Sequence, residues 1–577
     1  MGFINQQSEQ IGGGRRTAVL AAALVALLIG GLFAGLTTDG LASPDAMRYA
    51  QIARHALQGR GFLDTVMQPH GFSWWREGPV ASREALGSFD PFFAFPAYLA
   101  GWFFVFGPAD GTVIAANLFV FAALVALFFA LARRLWGTRP AIVAAALLAF
   151  NGKLLTYAAA GLSEPLYLLL AVAAVYLLVR WRERPVALAW IGPPAALMLY
   201  TRDLGKLFVG AFFLLVVCFL PRRRLLGLTV LGLSFAASFW LLGQWAGLVN
   251  ERATARLGAV TRGEADPRIA AELNRPAPTW VGRLIDRVGG ASFLVFSAPF
   301  PGHSLERSLV SVKASQVYAE HPAVFYDKWR ANAGVTARNL AGLFNPLWLA
   351  AFACFPLLRS RDRWPLYAWT WLLIALHVAV NLILLSMPRY NVIAVPFCLL
   401  LAAPVLVAAT AKPFPRGKAG PLVLLTAAVA LGTMPWAFAA RSPVGGWPVE
   451  AEAAKLANAD RQRQEAIGRF IGRATAPGEV VVGDDPWVIG WRGDRPAIWL
   501  PMDRGQLDLL RRRATVDWLL LALKNPADEP YWRDWLRDCG ASGAAVCDGF
   551  RFAAAQRYAD QTFYLFRAVA VEGATPP

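Results

Sequence analysis

Apolar runs of about 20 residues recur along this chain, and such runs cross a bilayer as α-helices because a helix satisfies its own backbone polar groups. They lie at 17–37, 112–132, 140–158, 164–180, 186–200, 207–220, 225–248, 336–357, 365–386, 390–410 and 420–440. The pattern predicts a polytopic α-helical membrane protein with about eleven transmembrane helices. It argues against an ordinary soluble domain, as does the low share of charged residues, 16%.

The net charge of +18 is concentrated in one set of loops. The first run follows Arg15 and Arg16, and alternating the later runs brings every dense basic cluster to that same side: Arg133, Arg134 and Arg139; Arg180, Arg182 and Arg184; Arg222–Arg224; Arg359, Arg361 and Arg363; Lys412, Arg416 and Lys418. Basic residues accumulate in cytoplasmic loops. We therefore expect a cell-membrane protein with a cytoplasmic N-terminus and an extracytoplasmic C-terminal region. The charge then sets topology and does not indicate nucleic-acid binding.

Two outer loops follow from this topology, within a transmembrane module that spans residues 1–440. The first, 38–111, has helical character from Asp45 to Leu57 and an apolar segment, Pro91–Phe106. That segment is expected to lie along the membrane, because a full span there would move every later basic cluster outside. The second outer loop, 249–335, is polar.

Residues 441–577 are expected to form a small extracytoplasmic α/β domain. The stretches Gly478–Val482 and Trp518–Leu523 are apolar and short, as buried strands are. Cys539 and Cys547 lie close together in this region and can pair if it is extracytoplasmic. The sequence contains no Cys/His cluster typical of a metal site and no glycine-rich phosphate loop.

Ionisable residues collect at the predicted outer ends of the spans. They are Asp45, Arg48, Lys153, Glu164, Arg202, Asp203, Lys206 and Arg389. Ionisable groups at the membrane are costly, so their convergence on one boundary indicates a functional site. Cations suit the binding of a lipid phosphate, and a carboxylate suits deprotonation of an attacking hydroxyl or amine.

Each of these residues also has a purely structural explanation. The Ser43-Pro44-Asp45 sequence is a good helix start, and Ser163-Glu164-Pro165 is another. Any single Arg or Lys can extend to lipid head groups, and Asp203 can form a local salt bridge with Arg202 or Lys206.

Five motifs in order resemble the GT-C glycosyltransferases that use polyprenyl-phosphate sugars, of the protein O-mannosyltransferase and lipid A aminoarabinose transferase type. They cover roughly residues 15–440 and are Asp45–Arg54 (Asp-x-x-x-Tyr-x-x-x-Ala-Arg), Asp90–Phe93, Ser163–Leu166, Thr201–Lys206, and Arg389-Tyr390 with Pro396. The resemblance implies a GT-C fold and transfer of a sugar from a polyprenyl-phosphate donor to a lipid, glycan or protein acceptor. The expected mechanism is an inverting displacement at the extracytoplasmic face of the bilayer.

The resemblance also implies roles for individual residues. Asp45 is expected to be the catalytic base. Glu164, which belongs to the set of ionisable residues at the outer boundary, is expected to be a second catalytic carboxylate. Arg202, Lys206 and Arg389 are expected to bind the donor phosphate. The supporting residues are expected to be Arg48, Tyr49, Lys153 and Tyr390.

The chain departs from the family pattern at two places. Many relatives have Asp-Glu where this chain has Asp45-Ala46, and the usual His-x-Pro-Pro reads Phe89-Asp90-Pro91-Phe92. No cofactor is indicated with certainty, and the metal site is unknown, although a divalent metal remains an alternative. Two other classes stay open: a polysaccharide polymerase or ligase with a lipid diphosphate donor, and a transporter of lipid-linked sugars. The absence of a visible internal repeat weakens the transporter alternative.

Overall fold

The computed structural model describes most of the chain, and the structural statements below concern the described residues. These are 12–69, 87–220, 224–257, 279–283, 314–320, 322–343, 346–358, 361–383, 388–411, 447–523, 530–541, 546–559 and 561–569. The predicted run 420–440 lies outside them.

The described part of the transmembrane module is almost entirely helical. Its helices are α1 (Gly12–Thr37), α2 (Pro44–Leu57), α3 (Ala94–Phe106), α4 (Asp110–Trp136), α5 (Thr138–Ala149), α6 (Gly152–Ala159), α7 (Glu164–Trp181), α8 (Gly192–Leu199), α9 (Gly205–Phe219), α10 (Arg224–Leu257), α11 (Ala314–Glu320), α12 (Pro322–Leu343), α13 (Pro346–Ala353), α14 (Trp364–Ile383), α15 (Pro388–Asn391) and α16 (Ala394–Ala411). A 3-10 helix, Pro185–Ile191, precedes α8.

Within the described ranges, 5 helices are long and apolar enough to cross a membrane: Arg16–Thr37 in α1, Asp110–Trp136, Glu164–Trp181, Leu225–Ala255 in α10 and Trp364–Leu382 in α14. The pair α5 and α6 meets the same criterion together, with a bend of 54° between them. Shorter apolar helices cover Ala94–Phe106, Pro185–Leu199, Gly205–Phe219 and Ala394–Ala409. The structure therefore supports a multi-pass membrane protein, while the count of eleven spans stays a prediction.

One predicted span has a different form. The run 140–158 is divided between α5, which ends at Ala149, and α6, which begins at Gly152, with a bend of 54° between them. The run 336–357 is covered by the end of α12 and by α13, and residues 344–345 between them lie outside the described residues.

A buried amide fixes the turn that leads into α7. Asn117, on the long helix α4, is fully buried. Its Nδ2 donates to the carbonyls of Tyr157, Ala158 and Leu162 at 3.1, 3.1 and 2.9 Å. These carbonyls lie at the end of α6, where a helix leaves acceptors without intrahelical partners. The contact anchors the residues that immediately precede Ser163 and Glu164.

The C-terminal region contains helices and a sheet. The helices are α17 (Trp447–Ala474), α18 (Pro486–Arg492), α19 (Arg504–Arg511) and α20 (Pro530–Ala541), and the strands are β4 (Val481–Gly483), β5 (Ala497–Trp499), β6 (Trp518–Leu521), β7 (Phe550–Tyr558) and β8 (Gln561–Ala568). The two short buried strands expected from the sequence correspond to β4 and β6, whose residues are all buried. Cys539 and Cys547 form a disulfide, with their Cα atoms 5.8 Å apart.

The first long loop, residues 38–111, supplies a strand to this sheet. The loop contains β1 (Leu63–Asp64), β2 (Val66–Met67) and β3 (Ser88–Phe89). Strand β2 pairs in parallel with β5, so Val66 and Met67 lie opposite Ala497 and Ile498. The sheet has 6 strands in the order β2-β5-β4-β6-β8-β7. The loop that carries α2 is therefore joined to the C-terminal region by backbone hydrogen bonds.

Candidate active site

Asp45 lies in the first turn of α2. Ser43 is the N-cap residue and makes no side-chain capping hydrogen bond, and Pro44 occupies the start of the helix. The Asp45 carboxylate instead forms an ion pair with Arg389. The two side chains are 31% and 23% exposed, so both retain access to solvent or ligand. Capping alone does not explain the position of this carboxylate.

Arg389 is held on the short helix α15, between the apolar helices α14 and α16. The next residue but one, Asn391, is buried and accepts a hydrogen bond of 2.9 Å from Asn381 on α14. The guanidinium carbon of Arg389 lies 5.8 Å from the centroid of the Tyr390 ring. This arrangement fixes the backbone of α15 and leaves the guanidinium directed at Asp45.

A second ion pair is buried more deeply. Arg202 Nη1 lies 2.5 Å from Glu164 Oε1, with side chains 11% and 1% exposed. The same nitrogen donates to Ser163 Oγ at 3.2 Å, and Ser163 Oγ in turn donates to the Tyr49 hydroxyl at 3.5 Å. The turn after α8 and the start of α7 are thereby joined to α2, one helical turn beyond Asp45.

These two ion pairs place two acids and two guanidinium groups in one cluster of balanced charge. Burial alone would raise the pKa of Asp45, but the charge and hydrogen bond of Arg389, assisted by Arg202, hold that pKa below its ordinary value. Asp45 is therefore ionised in the free protein. The cluster offers cationic groups for an anion and one accessible carboxylate beside them.

Tyr49 lies at the inner edge of this cluster. Its ring packs edge-on against Phe95 with centroids 5.3 Å apart. Burial, and then the nearby Asp45 carboxylate, raise the pKa of the Tyr49 hydroxyl. Tyr49 is thus a neutral hydrogen-bonding group at the site.

Arg48 has a different environment from its neighbours on α2. Its guanidinium lies 2.6 Å from Asp64 and 3.2 Å from Asp90, and both carboxylates are almost completely buried. Asp64 also accepts the Val66 amide at 2.9 Å, at the start of β2. Arg48 therefore joins α2 to the remainder of the first loop, and Asp64 is a partner that the sequence motifs do not mark.

Two of the predicted cations, Lys206 and Lys153, lie in the first turns of α9 and α6. Lys206 pairs with Asp203, three residues earlier, and its side chain is 71% exposed. The local salt bridge considered for Asp203 is therefore present. Lys153 is half-buried in the first turn of α6, next to the N-cap Asn151, which accepts the Leu154 amide at 3.0 Å.

Three carboxylates of the first loop form ion pairs with arginines, which affects whether they can bind a divalent metal. Asp45 pairs with Arg389, and both Asp64 and Asp90 pair with Arg48. Among the described residues, no group of three or more His, Cys, Asp or Glu side chains is arranged to hold a metal ion. These carboxylates do not fit a divalent metal site, so no step of the mechanism below passes through a metal.

Comparisons with known proteins identify the fold. No family model and no curated protein matches the sequence. ArnT from Cupriavidus metallidurans, in its structure bound to undecaprenyl phosphate, matches with a TM-score of 0.50 and 14% identity, over 96% of this chain and 98% of that chain. The oligosaccharyltransferase AglB from Archaeoglobus fulgidus, in complex with an inhibitory peptide and a dolichol-phosphate, matches with a TM-score of 0.53 and 12% identity, over 93% of this chain and 73% of that chain.

Both of these proteins belong to the GT-C superfamily. The present chain therefore has the GT-C membrane fold, as the sequence resemblance implied. At this level of identity the likeness establishes the fold, and the activity has to be argued from the site.

Proposed function

We propose that this protein is an integral membrane glycosyltransferase that moves a sugar from a polyprenyl-phosphate donor to a lipid, glycan or protein acceptor. The observation that carries the proposal is the contact between Asp45 and Arg389, with the Arg202–Glu164 pair beside it. Such a transfer requires a cationic site for the donor phosphate and a carboxylate that accepts a proton. This cluster supplies both. The neighbouring folds add support, since ArnT and AglB bind undecaprenyl phosphate and dolichol-phosphate.

Arg389 and Arg202 are proposed to bind the donor phosphate. Guanidinium groups bind phosphate oxygens through charge-assisted, often bidentate, hydrogen bonds. As the bond between the anomeric carbon and the phosphate oxygen breaks, negative charge grows on the leaving phosphate. Fixed cations in a site with little water stabilise that charge without reorganisation.

Asp45 is proposed to accept the proton of the acceptor hydroxyl or amine during attack on the anomeric carbon. The new bond forms as the bond to phosphate breaks, so the configuration at that carbon is inverted. Phosphate binding would draw Arg389 away from Asp45, which makes the carboxylate a stronger base. Donor binding thus makes Asp45 a stronger base before the acceptor reacts.

Glu164 is proposed to act through Arg202 and not on the substrate. Its side chain is 1% exposed, and its Oε1 is already in contact with Arg202. Lys206 is correspondingly assigned no direct contact with the phosphate, since it is exposed and paired with Asp203.

Asp45→Asn tests the base directly. Asparagine keeps the size and shape of aspartate, and the Asp45 and Arg389 side chains are partly exposed, so the variant should fold. We expect its transfer rate to fall about 100-fold or more, because the proton acceptor is lost. The assay follows release of undecaprenyl phosphate from a panel of undecaprenyl-phosphate sugars, with membranes from the source cell as acceptor. Transfer at the normal rate by a folded Asp45→Asn protein would disprove the assigned chemistry.

Donor binding is measured separately with undecaprenyl phosphate. Arg389→Gln and Arg202→Gln should each weaken binding by about 10- to 100-fold, as expected for loss of a charge-assisted contact of ~1.5–3 kcal/mol. Asp45→Asn should retain binding. Lys206→Gln is the matched control, because it removes an exposed cation from the adjacent turn and should bind normally. Unchanged affinity in both arginine variants would remove the proposed phosphate site.

A further inference from the structure

The segment that leads into Asp45 is held by side chains from the C-terminal region. Arg461 on α17 donates to the carbonyl of Asp39 at 3.0 Å. Arg492, the last residue of α18, donates to the carbonyl of Leu41 at 2.8 Å. Two consecutive helices of the C-terminal region therefore fix the backbone of residues 39–41, only a few residues before the proposed base.

Asp110 joins this segment to the membrane module. It is the first residue of the transmembrane helix α4, and its carboxylate accepts three hydrogen bonds. They come from the Leu41 amide at 2.9 Å, Trp491 Nε1 at 2.9 Å and Arg492 Nη2 at 2.7 Å. The Arg492 and Asp110 side chains are only 12% and 14% exposed. A buried carboxylate with three donors, one of them cationic, is a strong and directional contact.

The close approach at this point depends on Gly40. A Cβ atom at this position would lie 2.5 Å from Asp110 Oδ2 and 2.8 Å from Arg461 Nη1. Any larger residue would therefore force these side chains apart. The segment lies against Asp110 and Arg461 with no space for a side chain.

The far end of α2 is attached to the same helix of the C-terminal region. Arg54 donates to the carbonyls of Gly490 and Trp491 at 2.9 and 3.1 Å, and its guanidinium lies 4.8 Å from the centroid of the Trp491 ring. Arg54 also pairs with Asp494 at 2.8 Å. Helix α18 thus contacts the segment before α2 and the last turn of α2.

We propose that Asp110 and Arg492 are positioning residues that set the location of Asp45 relative to the donor phosphate. The proposal rests on the proposed function, because it assumes that Asp45 is the base. The C-terminal region then contributes to the geometry of the active site, in addition to any role in acceptor binding. Neither residue touches the reacting atoms, so each acts only through the backbone of residues 39–41.

The test combines Asp110→Asn and Arg492→Gln with two readouts. Small displacements of a reacting group lower rates by up to about 100-fold. We expect the maximal transfer rate to fall about 10- to 100-fold in both variants, with undecaprenyl phosphate binding unchanged. Hydrogen exchange of the amides in residues 38–47 should become faster. Arg492→Lys, which keeps the charge, should recover part of the rate, and the double variant should be no slower than the slower single variant.

Arg504→Gln provides a matched control, since the Arg504–Asp548 ion pair of 2.8 Å lies in the same region and does not involve the 39–41 segment. It should leave both readouts unchanged. Should Asp110→Asn fail to fold, Arg492→Gln and Arg492→Lys carry the test. Normal transfer in a folded Arg492→Gln protein, or a loss confined to undecaprenyl phosphate binding, would overturn the positioning role. Normal transfer by Asp45→Asn would instead overturn the proposed function, so the two failures are distinguishable.

Discussion

The buried pair of Glu164 and Arg202 allows a sharp test of how the site is held together. Glu164→Gln removes one charge and keeps the shape of the side chain. Arg202 would then be buried at 11% exposure without the counter-ion that lies 2.5 Å away. Breaking a buried pair by removing one partner costs about 3–5 kcal/mol, because an uncompensated charge stays in the interior. The nearby Asp45 carboxylate acts on Arg202 as well, so we expect the lower end, ~3 kcal/mol.

The second step replaces both partners. Neither carboxylate oxygen of Glu164 has a well-formed hydrogen bond, although Oε1 contacts Arg202, so the pair gains little beyond its Coulomb attraction. Replacing a whole buried pair by apolar or neutral residues is often close to neutral. The double variant Glu164→Gln/Arg202→Met should therefore recover most of the stability lost in Glu164→Gln. It should still bind undecaprenyl phosphate about 10- to 100-fold more weakly than the wild type, because the Arg202 guanidinium is gone.

The assay is the free energy of unfolding in mixed detergent micelles, measured for the wild type, both single variants and the double variant. Because each single variant leaves a buried charge unpaired and the double variant recovers most of that loss, the cycle should give a coupling energy of at least about 3 kcal/mol. A coupling energy near zero would refute the counter-ion role of Glu164. A Glu164→Gln protein of normal stability that binds donor but cannot transfer would return Glu164 to the list of catalytic carboxylates.

Two further predictions concern pH and topology. The wild-type kcat/KM for the donor should stay constant down to acidic pH and fall only as pH drops through the lowered pKa of Asp45, because this ratio reports the free enzyme, in which Arg389 contacts Asp45. Arg389→Gln should move this acidic limb to higher pH, since burial then raises the pKa of Asp45 without the opposing charge of Arg389. A limb that does not move would show that another group sets it. Met502 is 37% exposed and can be replaced by Cys in a protein that lacks the exposed free cysteines Cys218 and Cys354. An impermeant maleimide should label the new cysteine from outside intact cells. Labelling from the cytoplasmic side alone would contradict the predicted topology.

The convergence of Asp45 and Arg389 follows from the sequence, although 344 residues separate them. The basic clusters predict which loops are outside, and that prediction brings both residues to one membrane boundary. Helix α2 was predictable for a local reason, because Ser43 and Pro44 are good start signals. The residue types in the sequence therefore predict both the membrane topology and the start of this helix.

The ion-pair partners of the charged residues at this membrane boundary were not predictable in the same way. Arg202 and Lys206 lie four residues apart in the chain, yet Arg202 is buried and Lys206 is exposed. That difference depends on where α9 begins, at Gly205, and on the packing of the preceding turn. The pairing of Arg48 with Asp64 depends on the path of a loop whose strands are two residues long. Periodicity cannot indicate so short a strand.

The parallel pairing of β2 with β5 has a consequence for the order of folding. Val66 and Ala497 are neighbours in the sheet, although more than 400 residues lie between them in the chain. At a synthesis rate of about 5–20 residues per second, β2 would wait roughly 20–90 s for its partner strand. During that interval strand β2 would have unpaired backbone groups, which can pair with strands of other chains. The proposed base would reach its final position only after β5 has been made, so chains truncated before β5 should be inserted in the membrane and yet be inactive.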